Sequence, residues 1–562
     1  MLLSNLNLLA TAPGGVARLR ELILTLAVQG KLVPQDPADE PASVLLQKIR
    51  AEKDRLIGEG KIKKDKPLAA IAEEEKPFEL PVGWEWVKGR DLFTVVRGVT
   101  YQKADAKDSP AEGLLPLLRA SNIQGTVNFE DLVYVPASLV SEDQILRSGD
   151  YVVCLASGSK NLVGKAAPFR PELICSFGAF CGAIRPIASA DYFTVFLASP
   201  MYREAVSAAS AGIGINNLKG SSLLGLGIAL PPLAEQSRIV TRVEELMRLC
   251  DALEAKGQLE ATQHAQLLST LLGTLTASTT PEELANNWQR VAQHFDLLLD
   301  RPQAIDALEQ TVLQQAVRGL LVPQDPADEP ASVLLQKIRA EKDRLIAAGQ
   351  IKKDKPLPPV TDEEKPFELP VGWEWVRLAS IADSRLGKML DKAKNSGKRY
   401  PYLRNTNVQW HHIDLDDIKE ISLEASELAE FRLMPGDLLI CEGGYPGRCA
   451  IWRDPDREMY FQKALHRVRP RGGIAVELIA IALESDSRAG NLNQHFTGAT
   501  IKHFVGQALD RYVLALPPLA EQSRIVTRVT QLRRLCADLR QRLAEREVVQ
   551  ARLAEALVQQ VA

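Results

Sequence analysis

Two short stretches carry the residue types that read nucleic-acid bases. PLLRASNIQG (Pro116–Gly125) and PYLRNTNVQW (Pro401–Trp410) stand at matching places in two otherwise dissimilar segments. They supply Arg119, Ser121, Asn122 and Gln124 in the first, and Arg404, Asn405, Asn407 and Gln409 in the second. Arginine and the side-chain amides pair bidentately with guanine and adenine edges. The shared pattern LR(A/N)(S/T)N equally suits a turn in which Asn caps the backbone. Residues that read different bases should differ between copies, so Asn122 and Asn407 are assigned to the turn. Stronger candidates lie where the copies diverge beside positive charge. Ser159, Lys160, Asn161 and Lys165 form a Gly-rich basic loop. Its counterpart holds Tyr445, Arg448, Lys463, His466, Arg467 and Arg469. From Gly443 to Arg471 there are seven Lys/Arg against three acids, enough for a phosphate-contacting face. Near the segment ends, Asn216, Asn217 and Lys219 stand opposite Thr500, Lys502 and His503. For each single residue, plain exposed surface is the competing reading.

Catalytic motifs are missing. GSKNLVGK (Gly158–Lys165) imitates a P-loop, but five residues separate its glycines where four are required, and Ala166 stands where Ser or Thr would bind magnesium. No G-x-S-x-G, H-E-x-x-H or G-x-G-x-x-G occurs. His411-His412 lies in an acidic stretch without a further ligand at standard spacing, so a surface pair is expected rather than a metal site. No catalytic residue, bound cofactor or metal is assigned.

The bulk numbers fit a multidomain globular protein. The chain has 562 residues, 46% hydrophobic and 25% charged, with a formal net charge of -3. Any contact with DNA must therefore come from local patches or be shared with partners. Seven cysteines without a CxxC spacing argue against a disulfide framework and zinc, and suit reduced thiols in a cytoplasmic protein. The N-terminal stretch lacks the basic region of a secretion signal. No apolar run reaches the ~18–20 residues that span a bilayer.

The positioning elements come in pairs. LPPLAEQSRIVTRV runs from Leu230 to Val243 and again from Leu516 to Val529. Its prolines suit a helix start. LVPQDPADEPASVLLQKIRAEKDRLI occurs at Leu32–Ile57 and Leu321–Ile346, and EEKPFELPVGWEWV at Glu74–Val87 and Glu363–Val376. Helices are expected at 17–29, 42–57 and 331–346, with Gly30 as a C-cap. Lys-rich linkers, KIKKDKP and IKKDKP, follow the second helix of each arm and read as solvated connectors. Between arm and exit, a Gly-Asp turn precedes a buried-strand run in each copy (GDYVVC, GDLLIC). After each exit, Ile239, Val243, Leu246, Cys250 and Leu253, and Ile525, Val529, Leu532, Cys536, Leu539 and Leu543, alternate threes and fours, the seam of a coiled coil. Some 40 residues at 1.5 Å make a rod of roughly 60 Å. Thr279-Thr280-Pro281-Glu282 reads as the start of a further helix. The expected fold is α+β: two mixed α/β domains separated by two long antiparallel coiled-coil helices, in a pseudo-twofold repeat. The expected segments are an N-terminal helix and arm (1–79), a first domain (80–232), a helical spacer (233–319), a second arm (320–368), a second domain (369–518) and a distal helix (519–562).

Taken together, VARLRELILTLAVQGKLVPQDP, the paired PFELPVGWEWV entries, PLLRASNI, GDLLICEGGYPGR and the paired LPPLAEQSRIV exits resemble the specificity subunit of type I restriction–modification systems, over nearly the whole chain. The resemblance implies a non-catalytic subunit. Each domain would be a target recognition domain reading one half of a split, asymmetric site on double-stranded DNA. The helices, through Ile239, Val243, Leu246, Leu253, Ile525, Val529, Leu532 and Leu539, would set the spacer and dock two modification subunits. Those subunits would use S-adenosylmethionine to methylate adenine, and added restriction subunits would use ATP, with magnesium, to cut DNA. No membrane contact is implied. The rival reading is a duplicated scaffold that binds protein or carbohydrate without preference for DNA sequence. The long arms exceed what a minimal reader needs.

Overall fold

The computed structural model describes residues 11–63, 71–170, 172–188, 191–210, 216–278, 280–351, 356–390 and 397–560. Most of both lysine-rich linkers lies outside these residues. The chain divides into two compact units, residues 1–260 with 547–562, and residues 261–546.

In the first unit, α1 (Gly15–Val28) buries the stripe Leu19, Leu22, Ile23 and Ala27. Gly30 ends it at φ +71°, the left-handed C′ position that glycine takes without strain. A Cβ there would lie 2.4 Å from Pro81 and 3.0 Å from Trp84. Helix α2 (Ala42–Gly58) buries Leu45, Leu46 and Ile49. Its first N–H donates to the Gly83 carbonyl at 2.8 Å, which fills one of the orphan donors of a helix start.

The strand-rich segment of this unit begins with β1 (Glu85–Lys88), β2 (Phe93–Arg97), β3 (Leu114–Leu118) and β4 (Val133–Pro136). It continues with β5 (Tyr151–Cys154), β6 (Ala156–Ser157), β7 (Ala166–Pro168), β8 (Ser176–Phe177), β9 (Cys181–Pro186), β10 (Asn216–Asn217) and β11 (Gly227–Leu230). One sheet has the order β2-β9-β5-β7 and a second β4-β3-β8. Strand β5 is buried at every residue, as the run after the Gly-Asp turn predicts. β1 pairs with β11, so the segment's entry and exit lie side by side. Helix α3 (Leu233–Ala277) leaves from there.

The second unit repeats the plan. Helix α4 (Pro302–Val317) and α5 (Ala331–Ala347) form its arm. Its strands are β12 (Glu374–Arg377), β13 (Ala382–Leu386), β14 (Lys398–Leu403), β15 (Lys419–Leu423), β16 (Leu438–Cys441), β17 (Cys449–Ile451), β18 (Tyr460–Phe461), β19 (Leu465–Pro470) and β20 (Val513–Leu516). Their orders, β13-β19-β16-β17, β15-β14-β18 and β12-β20, match the first unit strand for strand. Helix α6 (Val476–Ala489) packs on this core, and α7 (Leu519–Gln559) leaves it. At about 1.5 Å per residue, the 45 residues of α3 and 41 of α7 make rods of roughly 60–70 Å. The exit prolines stand just before the first helical residue. Gln236 and Gln522, both buried, donate to the Pro231 and Pro517 carbonyls at 2.9 and 3.0 Å. Thr280 caps the helix Pro281–Gln293, accepting the Glu283 N–H at 3.2 Å.

The repeated arms have a structural task. Buried Glu235, from the exit, accepts the Trp84 indole N–H at 2.9 Å and the Gln35 amide at 2.7 Å. Asp39 pairs with Arg238 at 2.5 Å. In the second unit Glu521 accepts from Trp373 at 3.0 Å and Gln324 at 2.8 Å, and Asp328 pairs with Arg524 at 2.5 Å. Arm, entry and exit thus meet on one carboxylate. Burial lifts the Glu521 carboxyl above its ordinary range, although both donors pull the other way.

Seam residues Ile239, Val243, Ile525 and Val529 are buried in the cores of their own units. This corrects their assignment as partner-docking contacts, because a side chain 0–6% exposed has no surface to offer. Leu246 and Leu539 pack against the same kind of internal cluster. Leu253 and Leu532 are half-buried.

Candidate nucleic-acid interface

The two shared turns are built alike. The Asn122 carbonyl oxygen accepts the Arg119 N–H at 2.8 Å, and its amide donates to the Glu130 carbonyl at 2.8 Å. Asn407 accepts from the Arg404 N–H at 2.9 Å and donates to the Asp414 and Asp417 carbonyls. Both asparagines are 3% exposed, so their role is the turn. The arginines lean on the same loops: Arg119 donates to the Asp131 carbonyl at 2.7 Å, and Arg404 to the Asp417 carboxylate at 2.7 Å. Gln124 and Gln409 donate to the Ser121 and Thr406 carbonyls. What the two copies share is therefore mainly loop closure.

The diverged candidates of the first unit are brought together by one strand pair. β10 runs antiparallel to β6, Asn216 opposite Ser157 and Asn217 opposite Ala156. The loop that follows β6 exposes Ser159, Lys160, Asn161 and Lys165. Lys219 is exposed two residues beyond β10. Beside this edge opens a cleft of about 870 Å³, lined by Tyr101, Lys103, Arg119, Ser121, Ser157 and Phe180 among others. Phe180 is 64% exposed. Sequence patterning passed over Tyr101, Lys103 and Phe180. An aromatic placed at a tight turn, directly after Gly178-Ala179, was the available signal for Phe180.

In the second unit the same backbone position carries other chemistry. Gly443 bridges to His503, which also bridges to Thr497. Asn405 donates to the Gly443 carbonyl at 3.0 Å, and its own carbonyl accepts from Arg448 at 3.0 Å. The Arg448 guanidinium lies 4.5 Å from the centre of the Tyr445 ring. Tyr445 is 68% exposed, so a flat cation–aromatic pair stands on the rim. Gly444, at φ +80°, leaves room for this, since a Cβ there would lie 2.6 Å from the Asn405 amide. Lys502 is exposed next to His503. Lys463 is exposed on the turn between β18 and β19.

Three candidates are corrected by their surroundings. His466 is 1% exposed and its Nε2 lies 2.9 Å from the Phe504 carbonyl. Arg467 is buried, donates to the Glu430 and Arg432 carbonyls and stacks on Phe461. Burial pushes its guanidinium down to about 10. Arg469 forms a two-pronged pair with buried Asp437 at 2.5 and 2.8 Å. The first unit has the same pair, Arg185 with Asp150 at 2.9 and 2.8 Å. Strand β19 alternates, and these basic side chains close the domain rather than face a ligand.

Burial lowers the His466 imidazole below its ordinary value, which gives a pH prediction. The neutral ring is favoured in the fold, so its stabilising contribution is present above about pH 6.5 and is lost as pH falls through the lowered value. His466→Gln should flatten the fall in melting temperature between about pH 7 and 5. An unchanged slope in thermal melts would remove His466 from the acid response.

His411 is also better placed than expected. Its Nε2 lies 3.2 Å from Oε1 of buried Glu484. Among the described residues, Glu309, His411 and Glu484 are the one trio close enough to share a cation. Arg533, Arg488 and Arg540 already occupy those carboxylates, so the cluster is an ion-pair network and does not suit a metal. The seven cysteines are free and buried. Burial pushes the Cys175 and Cys181 thiols up to about 12. Among the described residues no helix is long and apolar enough to cross a membrane.

Comparison with known proteins falls on the same segments. A family model described as the type I restriction modification DNA specificity domain matches residues 81–263 and again 370–546. The Escherichia coli type I restriction enzyme EcoEI specificity subunit is 35% identical over 577 residues, covering 97% of this chain and 93% of that protein. The EcoAI specificity subunit, also from Escherichia coli, is 36% identical over 569 residues with the same coverage. A chain solved in a study of complex assembly and conformational transition of the type I R-M system shares the fold. Its TM-score is 0.50 at 19% identity, over 86% of this chain and 99% of that one. Two matched readers within one chain and full-length relatives lead to one conclusion: this chain belongs to the type I restriction–modification DNA specificity family.

Proposed function

We propose that the β6–β10 edge of the first unit and the Gly443–His503 edge of the second each read one half of a split, asymmetric DNA site. One observation carries this reading. Each edge begins two residues beyond equivalent strands, β5 and β16, of matching sheets, yet one is a two-residue strand pair presenting Ser157, Asn216 and Asn217 and the other a single bridge presenting Gly443, Thr497 and His503. Equivalent positions with unequal side chains give two specificities. Lys160, Lys165 and Lys502 supply phosphate contacts beside them, and the stacked Tyr445–Arg448 pair offers a flat face to a base or sugar.

On this reading the chain is non-catalytic and lies in the cytoplasm. It docks two modification subunits, which bring S-adenosylmethionine, and restriction subunits, which bring ATP and magnesium. Leu249 and Leu535 hold equivalent positions on α3 and α7 and are 59% and 57% exposed. One apolar contact offered twice suits one partner bound twice.

The test is the methylated DNA motif in cells carrying Asn216→Ala/Asn217→Ala. Each lost bidentate contact costs about 1–3 kcal/mol of base discrimination. One half of the motif should relax while the other half and the spacer stay fixed. A motif altered in both halves, or unchanged, rejects the assignment.

A further inference from the structure

Near-identical repeats within one chain pose a pairing problem. Leu32–Ile57 is identical to Leu321–Ile346, and Leu230–Val243 to Leu516–Val529. The Gln35–Glu235 and Asp39–Arg238 contacts recur as Gln324–Glu521 and Asp328–Arg524. These clasps cannot distinguish the first arm from the second. An arm seated on the other helix start, in the same chain or another, would make the same bonds.

Just outside the identical blocks the charges reverse. Arg20 of α1 pairs with Asp251 at 2.7 Å and Glu254 at 3.0 Å of α3. In the second unit Arg540 of α7 pairs with Asp306 at 2.7 Å and Glu309 at 2.6 Å of α4. Arg20 and Glu309 both stand ten residues before the capping glycine, Gly30 and Gly319. Glu254 and Arg540 both stand 24 residues after the first leucine of the repeated exit, Leu230 and Leu516. The arm helix is thus basic and its seat acidic in the first unit, while the arm is acidic and its seat basic in the second.

We infer that this reversal is a pairing code that directs each arm helix to its own long helix and keeps the repeats from exchanging. In a mispaired chain Arg20 meets Arg540, and Glu309 meets Glu254. Like charges then replace attraction at both seats, the repulsive half of specificity. A part-exposed pair such as Arg20–Glu254 changes an equilibrium by up to about fivefold. Two seats, each moved from attraction to repulsion, give a bias on the order of tenfold or more.

The experiment rewrites one seat in the full-length chain. Arg20→Glu/Asp251→Ala/Glu254→Arg gives the first unit the second unit's code, and Arg20→Ala/Asp251→Ala/Glu254→Ala removes it. Each protein is unfolded in urea, refolded at about 0.05 M salt, where screening is weak, and sized by light scattering. The rewritten chain should melt close to wild type, yet its ratio of monomer to exchanged dimers and larger species should be about tenfold lower. The neutral variant should fall between. Wild type refolded at about 1 M salt, where the Debye length is about 3 Å, should lose monomer in the same way. A rewritten chain that melts normally and refolds to wild-type monomer overturns the code. If the rewritten chain melts below the neutral one, the salt arm decides, and a wild-type monomer yield independent of salt overturns it.

Discussion

Arg469→Met is expected to destabilise the second unit by about 3 kcal/mol and to leave the unfolding of the first unit unchanged. The substitution keeps an unbranched stem and removes the charge. Asp437 is 1% exposed and would lose both prongs of its pair. It would keep only the Met434 N–H at 2.7 Å. Removing one partner of a buried pair costs more than the pair contributes, because the other charge stays uncompensated. The remaining N–H and the part-exposed position of Arg469 place the effect at the low end of the usual range. Arg469→Met/Asp437→Asn should recover most of the loss. Urea unfolding of the full chain measures both. A single variant that unfolds like wild type but binds DNA more weakly would return Arg469 to the DNA-facing set. Arg185→Met, with Asp150 at 2% exposure, should act in the same way on the first unit.

Gly387→Ala is expected to cost about 3 kcal/mol or more, although alanine normally suits this kind of backbone better than glycine. Its Cβ would lie 2.4 Å from the Gln462 carbonyl oxygen, 2.5 Å from the carbonyl carbon and 2.7 Å from the Phe461 oxygen. All three are backbone atoms, so no side-chain rotation relieves the clash. Gly98→Ala meets the same obstacle, 2.1 Å from the Gly178 oxygen. The crossing matters for reading as well as stability. The chain leaves β2 through Gly98 and Val99, which bridges to Gly178, and then delivers Tyr101 and Lys103 to the cleft. Gly98→Ala should therefore lower the melting temperature by several degrees and relax the first half-site only, as judged by thermal melts and the methylated motif. Normal melting of both variants would contradict the close crossing.

Repetition made much of this architecture legible in advance. The seams Ile239–Val243–Leu246–Cys250 and Ile525–Val529–Leu532–Cys536 marked the two long helices because buried apolar residues must recur with the helical period. Gly30 and Thr280 ended and began helices where their backbone and side-chain chemistry predicts. The Asn122 and Asn407 turns followed from comparing two diverged copies. The basic residues of β19 were harder. Arg467 and Arg469 look like a phosphate-binding face when counted along the chain, and only the sheet shows that their partners, the Glu430 carbonyl and Asp437, come from distant segments. The role of the arms was hidden for the same reason: Gln35, Trp84 and Glu235 are up to 200 residues apart. Phe180 and Tyr101 gave no periodic signal, because cleft walls are assembled from loops.

The clasp on Glu235 makes each reader an insertion. Trp84 opens the recognition segment and Glu235 closes it, yet their side chains are 2.9 Å apart. Whatever folds between them begins and ends at one point of the frame, and the hydrogen bonds on that carboxylate come from the repeated borders. A reader of different sequence can thus be exchanged as a cassette without disturbing its anchor. New specificity then requires no new assembly, which lets the chain's target change faster than its architecture.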